Sequence, residues 1–173
     1  MIIFIIGYMG SGKSTFGKRL ANHMGYDYID LDQLFEENYK ISIADFFSKY
    51  GEPMFRKMEH ELLENNLNHA QMVISCGGGT PCFFDNMDLM NTNGVTLYLK
   101  LAPAALAQRL LNSRRKRPLI QMLPGDDFNQ KITTHLPGRE IYYTQAKLVV
   151  EGISIDVKET ADKLKEFING PGV

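Results

Sequence analysis

Apolar residues fill every position of Ile2-Ile3-Phe4-Ile5-Ile6, the pattern of a central parallel strand covered on both faces. From Thr15 to Met24 they recur at Phe16, Leu20, Ala21 and Met24 while Lys18, Arg19 and Asn22 point away. That spacing predicts a helix, stopped by Gly25. Tyr26 to Asp30 reads as a second strand. Ser42 opens a short helical stretch with Ile43, Phe46 and Phe47 on its apolar side, closed by Gly51. Pro53 then opens a longer helix to about Asn68, with Phe55, Met58, Leu62, Leu63 and Leu67 as its stripe. Val73 to Cys76, Val95 to Leu99 and Ala146 to Val150 read as further strands. Helices are expected from about Phe83, from Pro103 to Asn112, from Asp126 or Asp127 through Tyr143, and from Thr160 to Ile168. Strands alternating with helices predict an α/β fold, a parallel sheet flanked by helices on both faces.

Composition narrows the partners. The 173 residues carry 19 basic and 20 acidic side chains, a balance that gives no pull toward nucleic acid or an acidic membrane. The length suits one domain spanning residues 1–173. Cys76 and Cys82 are too few for a disulfide framework and lack metal-type spacing, so they read as reduced thiols. The N-terminal apolar run has no basic segment before it and is too short for a signal peptide. No run approaches a membrane span. A cytoplasmic monomer acting on a small molecule is the expectation.

The chemistry begins directly after the first strand. Gly7-Tyr8-Met9-Gly10-Ser11-Gly12-Lys13-Ser14-Thr15 fits G-x-x-x-x-G-K-[ST], in which backbone N–H groups and a helix N-terminus cradle phosphate. Lys13 would reach the β- and γ-phosphates and Ser14 would ligate Mg²⁺, implying ATP and Mg²⁺ as cofactors. Gly10, Ser11, Gly12 and Thr15 complete the cradle. Asp30 and Asp32, two apart in an extended chain, can face one space at the strand's carboxyl end; alternatively Asp32 caps a helix starting at Gln33. Arg56 and Glu59 are neighbours on one helix, either as a surface ion pair or with Arg56 turned into a cleft. Gly77, Gly78 and Gly79 follow the third strand, where they would bring backbone donors to a ligand or serve as a linker. Neither that strand nor the next ends in an acid, which leaves Asp30 as the best-placed carboxylate for a metal. Arg114 to Arg117 form a basic run that is either a solvated surface or a segment able to close over a triphosphate.

In order and spacing, the phosphate loop, Asp30-Leu31-Asp32, Phe55-Arg56 with Glu59, the glycine triplet, Arg117-Pro118-Leu119 and Arg139 with Tyr143 resemble shikimate kinase over essentially the full length. The resemblance implies a five-stranded parallel sheet of the nucleoside-monophosphate-kinase type, a substrate-binding segment at about 31–60 and a lid at about 112–125. It implies transfer of the ATP γ-phosphoryl group to the 3-hydroxyl of shikimate. Arg56 and Arg139 would take the shikimate carboxylate. Asp32 would orient the attacking hydroxyl, the glycine triplet would close the site, and Phe47 and Phe55 would wall it. Lys13 and Arg117 would offset transition-state charge, Asp30 would hold Mg²⁺ through water, and Arg109 would lie beside adenine.

Two departures stand out. Many members have Arg-x-Pro-Leu-Tyr where this chain reads Arg139-Glu140-Ile141-Tyr142-Tyr143, which puts the local helix in question. The stretch Val150 to Asp156 lacks the basic or amide side chain often found beside adenine. The rival expectations are a gluconate or nucleoside-monophosphate kinase on the same fold, disfavoured by Ser14 after the loop lysine, and a nucleotide-dependent switch, for which no Asn-Lys-x-Asp motif is present.

Overall fold

The computed structural model describes residues 1–112 and 128–169. Five parallel strands form one sheet: β1 (Ile2–Ile6), β2 (Asp27–Asp30), β3 (Met72–Ser75), β4 (Gly94–Lys100) and β5 (Leu148–Glu151), in the order β2-β3-β1-β4-β5. The described helices are α1 (Lys13–Met24), α2 (Leu31–Tyr39), α3 (Ile43–Glu64), α4 (Asn86–Asn93), α5 (Pro103–Leu111), α6 (Phe128–Tyr143) and α7 (Val157–Asn169), with a 3-10 turn at Thr80–Cys82.

The all-apolar β1 sits at the centre because both of its faces are covered. Ile2, Phe4 and Ile6 join a core with residues of α2 to α6, including Leu63, Met90, Leu106 and Ile132. Ile3 and Ile5 alternate into a second core with Phe16, Leu20, Ala161 and Leu164 from α1 and α7. Residues of period two in the strand thus meet residues of helical period on each side.

Several boundaries differ from the sequence expectation. Strand β2 begins at Asp27 and gives way to α2 at Leu31, so Asp32 lies in a first helical turn and no extended alternation links it to Asp30. The cap is Asp30, whose side chain accepts the N–H groups of Asp32 and Gln33; Asp32 is not the cap. Strand β3 ends at Ser75, one residue before Cys76, and α4 starts at Asn86 after the 3-10 turn in place of a helix from Phe83. The two helical stretches around Gly51 are joined as α3 across a break at that residue, where φ is 77° and ψ 169°. Ser42 caps it and Pro53 restarts it, as the sequence implies.

The packing leaves no room at Gly94, where a Cβ would lie 2.3 Å from the Ile2 carbonyl oxygen. Gly94→Ala is therefore expected to cost about 1–3 kcal/mol and to lower the melting temperature by several degrees; an unchanged melting curve would show that β1 and β4 can separate without penalty.

Candidate functional site

The phosphate loop runs from the end of β1 into α1. Gly10 (φ 83°) and Gly12 (φ 97°) take left-handed conformations that other residues avoid. Gly12 is the N-cap and offers no side chain, so no side-chain cap engages the first N–H groups of α1. The Lys13 ammonium donates to the carbonyls of Gly7 (2.8 Å) and Tyr8 (3.0 Å), lying across the loop. Ser14 Oγ donates to Asp30 Oδ2 at 2.5 Å, while Asp30 Oδ1 caps α2. Asp30 therefore joins phosphate loop and sheet with one oxygen and starts a helix with the other. This hydroxyl and carboxylate are hard oxygen donors, the kind Mg²⁺ takes alongside substrate phosphates. Among the described residues no cluster of three or more His, Cys, Asp or Glu could hold a metal by itself.

The glycine triplet lies next to this loop. None of Gly77, Gly78 and Gly79 has a positive φ, so steric room, not backbone conformation, requires glycine here. A Cβ on Gly77 would stand 2.7 Å from Glu59 Oε1 and 2.8 Å from Asp32 Oδ1; on Gly78, 3.1 Å from the Met9 nitrogen and 3.6 Å from Arg139 Nη1; on Gly79, 2.5 Å from Arg56 Nη2. The triplet thus gathers Asp32, Glu59, Arg56, Arg139 and the phosphate loop onto one turn. The sequence pattern anticipated close approach by a ligand. The structure shows the chain's own side chains and the backbone of the phosphate loop packed against the triplet.

Arg56 is no surface ion pair. It is 3% exposed, donating to Glu59 (2.7 Å) and twice to Glu52 (2.9 and 3.0 Å). Burial by itself would lower its pKa, but the Glu59 and Glu52 carboxylates outweigh that and raise it. Three of its five N–H groups are engaged in these bonds, leaving two among the described residues for another acceptor. The rings of Phe47, Phe55 and Phe83 surround the guanidinium at 5.9, 5.1 and 4.4 Å. Glu59 in turn accepts the Thr80 hydroxyl at 2.6 Å, tying α3 to the turn after the triplet.

Arg139 comes from α6, which continues unbroken through Tyr143, so the local helix put in question by the sequence is formed. It is 8% exposed, and its Nη1 is buried with no hydrogen-bond partner among the described residues. The Tyr143 hydroxyl donates to the Gly78 carbonyl one turn further along.

Arg109 bridges the Ser11 and Ile153 carbonyls, both at 2.9 Å. It borders a cleft of about 280 Å³ lined also by Gly12, Thr15, Phe16, Arg19 and Ile153. Glu52, Thr80, Phe83, Tyr8 and His135 were not singled out from the sequence. Glu52 four residues before Arg56 was the one legible signal. Arg117 and most of the expected lid lie outside the described residues.

The sequence profile of the family described as "Shikimate kinase" matches residues 9–169. The chain belongs to the shikimate kinase family. Shikimate kinases similar to it include those of Azobacteroides pseudotrichonymphae (43% identical, covering 85% of this chain and 87% of the relative) and Parabacteroides distasonis (39%, 96% and 98%). Among solved structures, the shikimate kinase of Bacteroides thetaiotaomicron superposes with a TM-score of 0.87 at 34% identity, covering 97% and 98% of the two chains. That of Acinetobacter baumannii, solved in complex with shikimate, gives 0.84 at 29% identity over 96% and 92%. A gluconokinase from Sinorhizobium meliloti gives 0.52 at 16% identity over 96% and 90%, a likeness of fold alone. As a shikimate kinase, the chain is an enzyme that phosphorylates shikimate with ATP. No helix among the described residues is long and apolar enough to cross a membrane.

Because Gly79 packs against a guanidinium held by two carboxylates, Gly79→Ala is expected to destabilise the fold by about 1–3 kcal/mol, measured by urea unfolding. A smaller change would mean that Arg56 moves aside freely.

Proposed function

We propose that the shikimate carboxylate docks between Arg139 and Arg56, with the ring over Gly77 to Gly79 and its 3-hydroxyl directed at the γ-phosphate of ATP in the phosphate loop. The observation that carries this reading is the Arg139 guanidinium, buried beside Gly78 with Nη1 unpartnered among the described residues. A planar guanidinium matches a carboxylate with two parallel hydrogen bonds.

Asp32, held at the same turn, accepts from the ring hydroxyls, orients the attacking oxygen and takes its proton. The new bond joins the 3-oxygen to γ-phosphorus as the bond from γ-phosphorus to the bridging β–γ oxygen breaks, leaving ADP. Gly10 to Thr15 cradle the phosphates with backbone donors and α1. Lys13 swings from the loop carbonyls to the β- and γ-phosphates. Ser14 and Asp30 are the residues fitted to hold Mg²⁺, which when bound would offset the negative charge of the triphosphate during transfer. Arg109 lies on the adenine side, where the Ile153 carbonyl belongs to the stretch lacking a basic or amide side chain. Arg117, outside the described residues, supplies lid charge. We further propose that residues 1–173 act as a single cytoplasmic monomeric domain, with the substrate segment at about 31–60 and the lid at about 112–125.

With ATP and Mg²⁺ present, turnover is expected with shikimate and not with gluconate; preference for gluconate would overturn the assignment. Arg139→Ala is expected to weaken shikimate binding by about 2–4 kcal/mol without altering ATP affinity. Arg139 makes the cleaner test because Arg56→Ala also strands the buried Glu59 and risks about 3–5 kcal/mol of stability. Lys13→Ala should reduce kcat by about 100-fold or more at an unchanged melting temperature. Near-normal turnover would remove the loop lysine from the mechanism.

A further inference from the structure

Three side chains on α6 repeat at intervals of four: His135, Arg139 and Tyr143, and so share one face. The outer two are tethers. Tyr143 donates to the Gly78 carbonyl, and His135 Nδ1 lies 2.8 Å from the Tyr8 hydroxyl. Arg139 lies between them, with its guanidinium carbon 5.9 Å from the centre of the Tyr8 ring. The helix is thus fixed one turn before and one turn after the arginine, to the glycine turn at one point and to the phosphate loop at the other.

Tyr8 is well placed to transmit position. Its carbonyl accepts the Lys13 ammonium at 3.0 Å and the Ser11 N–H at 3.1 Å, so its backbone is part of the phosphate cradle. Its ring is 1% exposed and meets the His135 ring edge-on, centroids 5.7 Å apart at 70°. Burial, partly opposed by Arg139, pushes the phenol up to about 12, so it remains a proton donor. Burial first and the Arg139 cation second lower the His135 pKa to about 4, against the attraction of Glu52 on α3. Around neutral pH the imidazole is uncharged, and Nδ1 can accept the phenol proton.

We propose that His135 is a positioning residue: by accepting the Tyr8 hydroxyl it fixes the Arg139-bearing turn of α6 against the phosphate loop and so sets the reach between the acceptor's carboxylate and the transferred phosphoryl group. The proposal rests on the assignment of Arg139 to the shikimate carboxylate. A pair of phenylalanines could fill the same space but would not fix the rotation of α6, because only the hydrogen bond is directional.

The test is a double-mutant cycle in the full chain with Tyr8→Phe and His135→Phe, reading kcat and both KM values. Each single variant is expected to raise the shikimate KM about fivefold or more, leaving the ATP KM within about twofold. The double variant should be no worse than the weaker single, because one bond is removed either way. His135→Asn, whose Oδ1 falls near the position of Nδ1, should restore the shikimate KM to within about twofold of the parent. Multiplying effects in the double variant, a shikimate KM unchanged in both singles, or no rescue by asparagine would overturn the proposal. Should His135→Phe fail to fold, Tyr8→Phe combined with His135→Asn decides by the same rule: an asparagine that changes nothing once the phenol is gone supports it, and independent effects refute it. An Arg139→Ala variant assayed in parallel separates the two ideas, since normal shikimate binding there would refute the carboxylate assignment itself.

Discussion

The catalytic edge depends on one steric constraint, the absence of side chains at Gly77, Gly78 and Gly79. Each missing Cβ lets a different group reach the turn: the Asp32 and Glu59 carboxylates at the first, the phosphate loop and Arg139 at the second, Arg56 at the third. Strand pairing brings these groups within range, since β3 lies between β2, which leads into Asp32, and β1, which leads into the phosphate loop. The parallel sheet supplies the common edge, and the triplet supplies the contact.

Charge is arranged around that turn by compensation. Arg56 is sealed among three aromatic rings with two carboxylates, and Glu59 divides its oxygens between Arg56 and Thr80. Arg139 stands nearby with less compensation, its Nη1 buried and unpartnered among the described residues. A buried cation with donors to spare favours an incoming anion, because the cost of taking the guanidinium out of water has already been met by folding. The two arginines therefore differ: Arg56 is held by Glu52 and Glu59, whereas Arg139 keeps a buried donor without a partner among the described residues.

The parts of this site legible in the sequence were those encoded locally. The apolar run of β1 followed by a glycine-rich loop and Lys13-Ser14 marked the phosphate-loop motif, and the missing acid after β3 drew attention to Asp30, whose carboxylate accepts the Ser14 hydroxyl in the structure. Asp30 and Asp32 were both recognisable, but neither reading of the pair anticipated a helix beginning at Leu31: the extended spacing is broken there, and the cap, weighed as an alternative for Asp32, is Asp30. The glycine triplet was conspicuous, yet its reason was hidden, because the groups packed on it come from distant positions. Tyr8 and His135 are 127 residues apart, and no periodicity joins them. Long-range pairing of single polar groups leaves no local pattern.

The central claim is that a buried arginine recognises the shikimate carboxylate across the glycine turn. It is tested most directly by comparing the Kd of shikimate with that of its methyl ester, on the parent protein and on Arg139→Ala. The account predicts that esterification weakens binding to the parent by about 30-fold or more, the loss of a charge-assisted pair, and has a much smaller effect on the variant. Equal penalties for the ester on both proteins would contradict it.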